Sequence, residues 1–247
     1  MKNEISIGID RRLQLAWLES TANLVLSGTQ PKEINNTLRE LLKDRLASKG
    51  PEGRGSLEKT ITILMRIWAT TPEPLKSFRD AGLTLLQAGP KKTAISVHWG
   101  MTIAVYPFWG IVADITGRLL KLQGSVTNAQ ILLRVKEQLG ERETANRSAQ
   151  RAIRSYVDWG VLKDSEEKGI YEMAPQLTIT DERLAAWLIE AALRASGSNS
   201  VPLKILINSP SIFPFKIETP PILSLSGRVE LLRQGVDEDI VMLRDGK

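Results

Sequence analysis

The chain contains no cysteine. That excludes disulfides, thiolate metal ligands and cysteine nucleophiles together, and it fits a reducing cytoplasm. There is one histidine, His98, set in the most apolar run of the sequence. Burial there disfavours the charged form, so a structural histidine is expected rather than a catalytic base. A metal site would then need a carboxylate cluster. The acidic groups Glu166-Glu167 and Asp237-Glu238-Asp239 fall in expected turns and read as solvated connectors, and Asp114 and Asp158 stand alone. No Gly-x-Ser-x-Gly, dinucleotide fingerprint or Walker pattern occurs. The opening residues MKNEISIGID lack an apolar h-region, so no secretory signal is expected. The reading is of a non-enzymatic, cytoplasmic protein with no cofactor and no metal.

What is present is ordinary in bulk. Of 247 residues, 42% are hydrophobic and 25% charged, the balance of a soluble globular protein. The length allows one large domain or two to three small ones. The net charge of +5 is compatible with a nucleic acid or another anionic surface and is diagnostic of neither.

The first half reads as a helical bundle. Asp10 is placed to cap a helix carrying Leu13, Ala16, Trp17 and Leu24 and ending at Gly28. Pro31 suits a first helical position, and Ile34, Leu38, Leu41, Leu42 and Leu46 follow at helical spacing. Gly50-Pro51-Glu52-Gly53-Arg54-Gly55 reads as a flexible basic loop, with Ser56 capping the next helix through Leu57, Ile61, Leu64, Ile67 and Trp68. A phosphate loop is excluded, because no strand precedes these glycines and no Gly-Lys-Ser/Thr follows. A further helix runs through Leu75, Phe78, Leu83 and Leu86 to Gly89-Pro90.

Residues Ala94–Ala113 carry no Asp, Glu, Lys or Arg and are long enough for a bilayer span. A buried pair of helices is the favoured reading. Pro107 breaks the run, Ser96, His98, Thr102 and Tyr106 give it polar spots, and basic residues lie on both sides.

Function is concentrated in Ser125–Met173. Thr127 and Gln130 have the spacing of a capping box, and Ile131, Leu132, Val135 and Leu139 form one apolar stripe ending at Gly140. Glu141-Arg142-Glu143 makes a turn, with Thr144 as the expected N-cap of a second helix. That helix gathers Ala145, Ala149, Ala152, Ile153, Tyr156 and Val157 on one side and Arg147, Arg151 and Arg154 on the other, with no acid interleaved before Asp158. Val161–Lys163 and Ile170–Met173 then alternate as two strands around a polar connector with Gly169. This is the order of a winged helix-turn-helix. Arg142, Arg147, Arg151 and Arg154 are expected to reach a DNA groove or its phosphates. Thr144 and Ser148 would hold phosphates, Gln150 would help read bases, and Lys163 and Lys168 would be wing contacts.

After the wing, Thr180-Asp181-Glu182 places a cap and two acids at a helix start. From Val201 the chain breaks into short branched runs at Leu203–Ile207, Ile212–Ile217, Ile222–Leu225, Val229–Leu232 and Ile240–Leu243. The last two flank an expected hairpin turn. Prolines interrupt the others, so a small β element with edge strands is expected.

Two stretches, Leu24–Leu41 (LVLSGTQPKEINNTLREL) and Arg54–Trp68, carry a further likeness. In layout the first half resembles the small A proteins of the BREX phage-exclusion systems. The resemblance implies a mostly helical, non-enzymatic DNA-binding component of a bacterial defence system.

Together these readings give a mainly α fold: an N-terminal helical bundle (1–105), a central winged helix-turn-helix (106–175), and a helix with a small β-containing C-terminal element (176–247). The expected partner is double-stranded DNA, with other protein subunits or a second copy also open and no membrane expected. The alternatives are a protein-interaction scaffold in a larger complex and membrane association through 94–113.

Overall fold

The computed structural model describes residues 7–46, 51–219, 227–234 and 238–244. It is mainly helical, with short strands confined to the second half.

Residues Ile7–Gln14 form an irregular strap and not a helix capped by Asp10. Helix α1 (Leu15–Leu26) starts after Gln14. The strap is held instead by the second helix of the helix-turn-helix. The Leu13 amide donates to Ser155 Oγ at 2.8 Å, Trp159 Nε1 donates to the Leu13 carbonyl at 2.9 Å, and Arg12 pairs with Asp158. These partners lie about 145 residues away in sequence, so no local pattern could announce them.

Helix α2 (Pro31–Leu46) begins at the proline as expected and buries Ile34, Leu38 and Leu42, while Leu41 turns outward. The expected Gly50–Gly55 loop is corrected. Helix α3 (Pro51–Trp68) is already running there, with proline at its first position. Pro51 suits that place because its missing N–H is unused, and a long helix with an apolar face outweighs two glycines. Ser56 is therefore inside the helix and not its cap. Helix α4 (Lys76–Ala88) follows a short 3-10 turn.

The apolar run becomes two helices, α5 (Ala94–Val105) and α6 (Pro107–Gln123), bent by 117° at Tyr106. Among the described residues no single helix is long and apolar enough to cross a membrane. Ten of the twelve residues of α5 are buried inside the protein.

His98 is one of them. Its ring meets Trp68 edge-on at 5.4 Å, and its Nδ1 has no hydrogen-bond partner among the described residues. Burial lowers its pKa from 6.5 to about 3. The unfolded chain therefore takes up a proton near pH 6.5 that the folded protein refuses until about pH 3. Stability is expected to fall as pH drops through that window, by up to about 1.4 kcal/mol per unit from this group. Comparing urea midpoints at pH 7 and pH 5 checks it: His98→Leu should lose less on acidification than the native chain. An equal loss would remove the effect.

Helix α9 (Glu182–Ser196) packs chiefly on α5 and α6 and is capped by Asp181, whose Oδ1 accepts from the amides of Arg183 and Leu184, each at 2.9 Å. Strand β1 (Ser125–Thr127) opens the helix-turn-helix, which continues as α7 (Asn128–Leu139), α8 (Glu143–Asp158) and the hairpin β2 (Leu162–Asp164) and β3 (Ile170–Met173). The tail adds β4 (Leu177–Ile179), β5 (Ser200–Pro202), α10 (Leu203–Ile207), β6 (Phe215–Ile217), β7 (Val229–Gln234) and β8 (Glu238–Leu243).

The tail strands make two small sheets. β4 pairs in parallel with β6, and β5, β8 and β7 form an antiparallel three-stranded sheet. Two expectations for the tail are corrected: Leu203–Ile207 is a helical turn, and Ile212 ends a 3-10 turn from Pro210. The Ile222–Leu225 run lies outside the described residues. One continuous hydrophobic core reaches from Ile9 to Val241, so the bundle, the helix-turn-helix and the tail share their interior.

Candidate nucleic-acid interface

The helix-turn-helix is built as its sequence dictates. Thr127 Oγ1 accepts from the Gln130 amide at 3.1 Å, and Gln130 Oε1 accepts from the Thr127 amide at 2.8 Å, closing the capping box that starts α7. Gly140 and Gly160 carry positive φ where α7 and α8 stop. β3 lies between β1 and β2, both antiparallel to it, so the hairpin gains a third strand from the residues just before α7. β1 has only three residues, too few for an alternating pattern to show.

Helix α8 buries Ala145, Ala149, Ala152, Ile153 and Tyr156, as the spacing requires. Tyr156 Oη donates to the Trp109 carbonyl of α6 at 2.9 Å, and its ring packs with Trp99, Trp109 and Phe213. Helix α8 is thereby fixed to both bundle and tail.

Its outer face is more mixed in charge than the sequence suggested. Glu143 belongs to the helix, not to the turn. The position before it is held by Arg142, so Thr144 is not the N-cap. One turn on, Glu143 pairs with Arg147. Arg154 reaches Asp164 on β2 at 2.8 Å and ties the helix to the hairpin. Arg151 turns toward the strap and donates to the Asp10 carbonyl. Its guanidinium is pressed below its ordinary pKa, first by burial and then by the charge of Arg11, against the pull of Asp10.

The structure therefore divides the expected contact residues. Thr144, Arg147 and Gln150 are exposed on α8, and Lys163 and Lys168 are exposed on the hairpin. Arg142, Arg151 and Arg154 are half-buried at its margins. Ser148 is the correction. It is 1% exposed and its Oγ has no partner among the described residues, so it cannot hold a phosphate of an outside duplex. Ser155, two turns further along the helix, is also buried and accepts from the Leu13 amide of the strap.

Beside this face lies a cleft of about 1400 Å³ between α8, α3 and the strap. Arg147 and Arg151 from α8 line it together with Lys59 and Arg66 from α3 and Arg11 from the strap, and Asp10 is its one acid. Asp10 accepts from Arg11 at 2.9 Å and lies 3.4 Å from Lys59. Sequence reasoning missed the three cations outside α8. Lys59, Thr62, Ile63 and Arg66 do stand at i, i+3, i+4 and i+7, but only the fold sets that stripe opposite α8.

Among the described residues no group of three or more His, Cys, Asp or Glu is placed to hold a metal ion. Compared with protein-family models, curated proteins and solved structures, the chain finds no match in any of the three.

Proposed function

We propose that this chain is a non-catalytic protein that binds duplex DNA with the exposed face of α8 in a groove and the β2–β3 hairpin against the adjoining phosphates. The observation that carries the reading is the joint exposure of Arg147, Gln150, Lys163 and Lys168 on one helix-turn-helix with its trailing hairpin. Arginine bridges two acceptors on guanine, glutamine pairs with adenine, and hairpin lysines neutralise phosphates. The ion pairs that Arg147 and Arg154 make are both at the surface, with side chains 65% and 41% exposed. Such pairs hold roughly 0–1 kcal/mol and are readily exchanged for phosphate. The layout similarity to phage-exclusion A proteins supports the same reading, that of a DNA-binding component of a bacterial defence system.

Arg147→Ala combined with Arg154→Ala is expected to weaken binding to a random duplex by roughly tenfold or more, and to make the slope of log K against log salt shallower by about 1.8, since each lost phosphate contact removes about 0.9. A gel shift across a salt series checks both. Unchanged affinity and slope in a folded double variant would sink the reading.

A further inference from the structure

The cleft between α8 and α3 has an organisation that the duplex reading does not use. Five cations and one carboxylate line it, so its walls carry a net charge of +4 against +5 for the whole chain. The cations come from three separate segments: Arg11 from the strap, Lys59 and Arg66 from α3, and Arg147 and Arg151 from α8. Convergence of like charges on one concavity raises the local concentration of anions there. Asp10 answers part of that charge through Arg11 and Lys59, whereas Arg66 makes no ion pair among the described residues. Two buried polar atoms in the wall, Arg11 Nε and Ser148 Oγ, also have no partner among the described residues. A buried polar atom without a partner costs folding free energy, and a ligand that reorders these side chains would recover it.

The rest of the wall mixes polar residues with an apolar patch. Ile7, Ile63, Val105 and Ile111 line the same cleft. A sugar-phosphate backbone alone has no use for such a surface. A compact ligand with both an anionic and an apolar part uses all of it, and concave sites that combine an apolar wall with a few placed polar groups are the usual form of small-molecule sites. The volume of about 1400 Å³ gives such a ligand ample room.

We infer that the cleft binds a nucleotide, with its phosphates on Lys59, Arg66, Arg147 and Arg151 and its base against the apolar wall. Because Arg147 lines the cleft and is also a duplex contact on the α8 face, the bound nucleotide competes with duplex DNA. That second consequence rests on the proposed DNA-binding reading; occupation of the cleft does not.

The test is calorimetric titration of the full chain with ATP, with inorganic triphosphate as a second arm. ATP is expected to bind one per chain and at least about fivefold more tightly than triphosphate, because the apolar wall contributes only to ATP. Lys59→Ala combined with Arg66→Ala, both exposed positions on α3, is expected to weaken ATP by about tenfold or more while leaving the melting temperature and duplex affinity unchanged. In the native chain ATP should displace a labelled duplex, and in the double variant it should not. No heat up to about 1 mM ATP, equal binding of triphosphate, or ATP affinity untouched by the double variant would each overturn the inference. If the duplex never binds but ATP does, the DNA reading fails and the cleft site stands. If the duplex binds and ATP does not, the cleft inference alone fails.

Discussion

Glu190→Ala is expected to lower folding stability by about 3–5 kcal/mol, the cost of breaking a buried ion pair from one side. Glu190 is fully buried in α9. Its Oε1 accepts from Arg194 at 3.0 and 2.8 Å, and both carboxylate oxygens lie within 3.1 Å of Arg228 Nε. The two arginine side chains are only 15% and 18% exposed, and both guanidiniums sit over the ring of Phe78, at 5.3 and 6.0 Å. Removing the carboxylate takes the shared anion from two cations in a poorly solvated place, and the aromatic face beneath them offers only roughly 0.5–2 kcal/mol. Urea unfolding checks the size of the loss. Glu190→Gln keeps the shape and an acceptor, so it should fall between the native chain and the alanine variant. A loss below 1 kcal/mol for alanine would show that the arginines escape to solvent.

Gly100→Ala is expected to be the second large loss, about 2 kcal/mol or more, although alanine ordinarily favours a helix by about 1 kcal/mol. A Cβ at this position of α5 would stand 2.3 Å from Trp187 Cζ3 and 3.2 Å from the Ala191 Cβ. Trp187 cannot give way. It is stacked on Phe78 with ring centroids 4.3 Å apart, and its Nε1 donates to the Phe78 carbonyl at 3.0 Å. The clash therefore separates α5 from α9, the contact around which the bundle and the tail share their core. The combination Gly100→Ala with Trp187→Phe should recover part of the loss, since the two sites are in contact and do not add. An alanine variant as stable as the native chain would contradict this account of the interface.

Elements with a local cause were legible in the sequence. The Thr127–Gln130 cap, the α7 and α8 stripes, the break at Pro107 and the helix start after Thr180-Asp181 each follow from residues within one or two turns of one another, and the structure has all of them, with Asp181 rather than Thr180 as the cap of α9. The illegible parts depend on distant partners. Asp10 looks like a helix cap, but the strap that carries it is tied through Leu13 to Ser155 and Trp159. The glycines after Pro51 look like a loop, yet helix α3 runs through them because its apolar face packs on α1 and α2. The Glu190 clamp needs Arg228, which arrives from the tail. The arginine face was legible as a stripe, but its neighbours were not. Glu143 and Asp164 interleave acid from the helix start and from β2, and the bundle supplies Lys59 and Arg66 across the cleft.

One surface, the α8 face with its hairpin, is proposed to carry duplex binding. Its most direct measurement is the affinity of the native chain for a random duplex, by fluorescence anisotropy over a salt series from about 50 to 300 mM. With Arg147, Arg154, Lys163 and Lys168 as contacts, log K is expected to fall with log salt at a slope of about −3.6. No binding at the lowest salt, or binding with a slope near zero, would contradict the assignment.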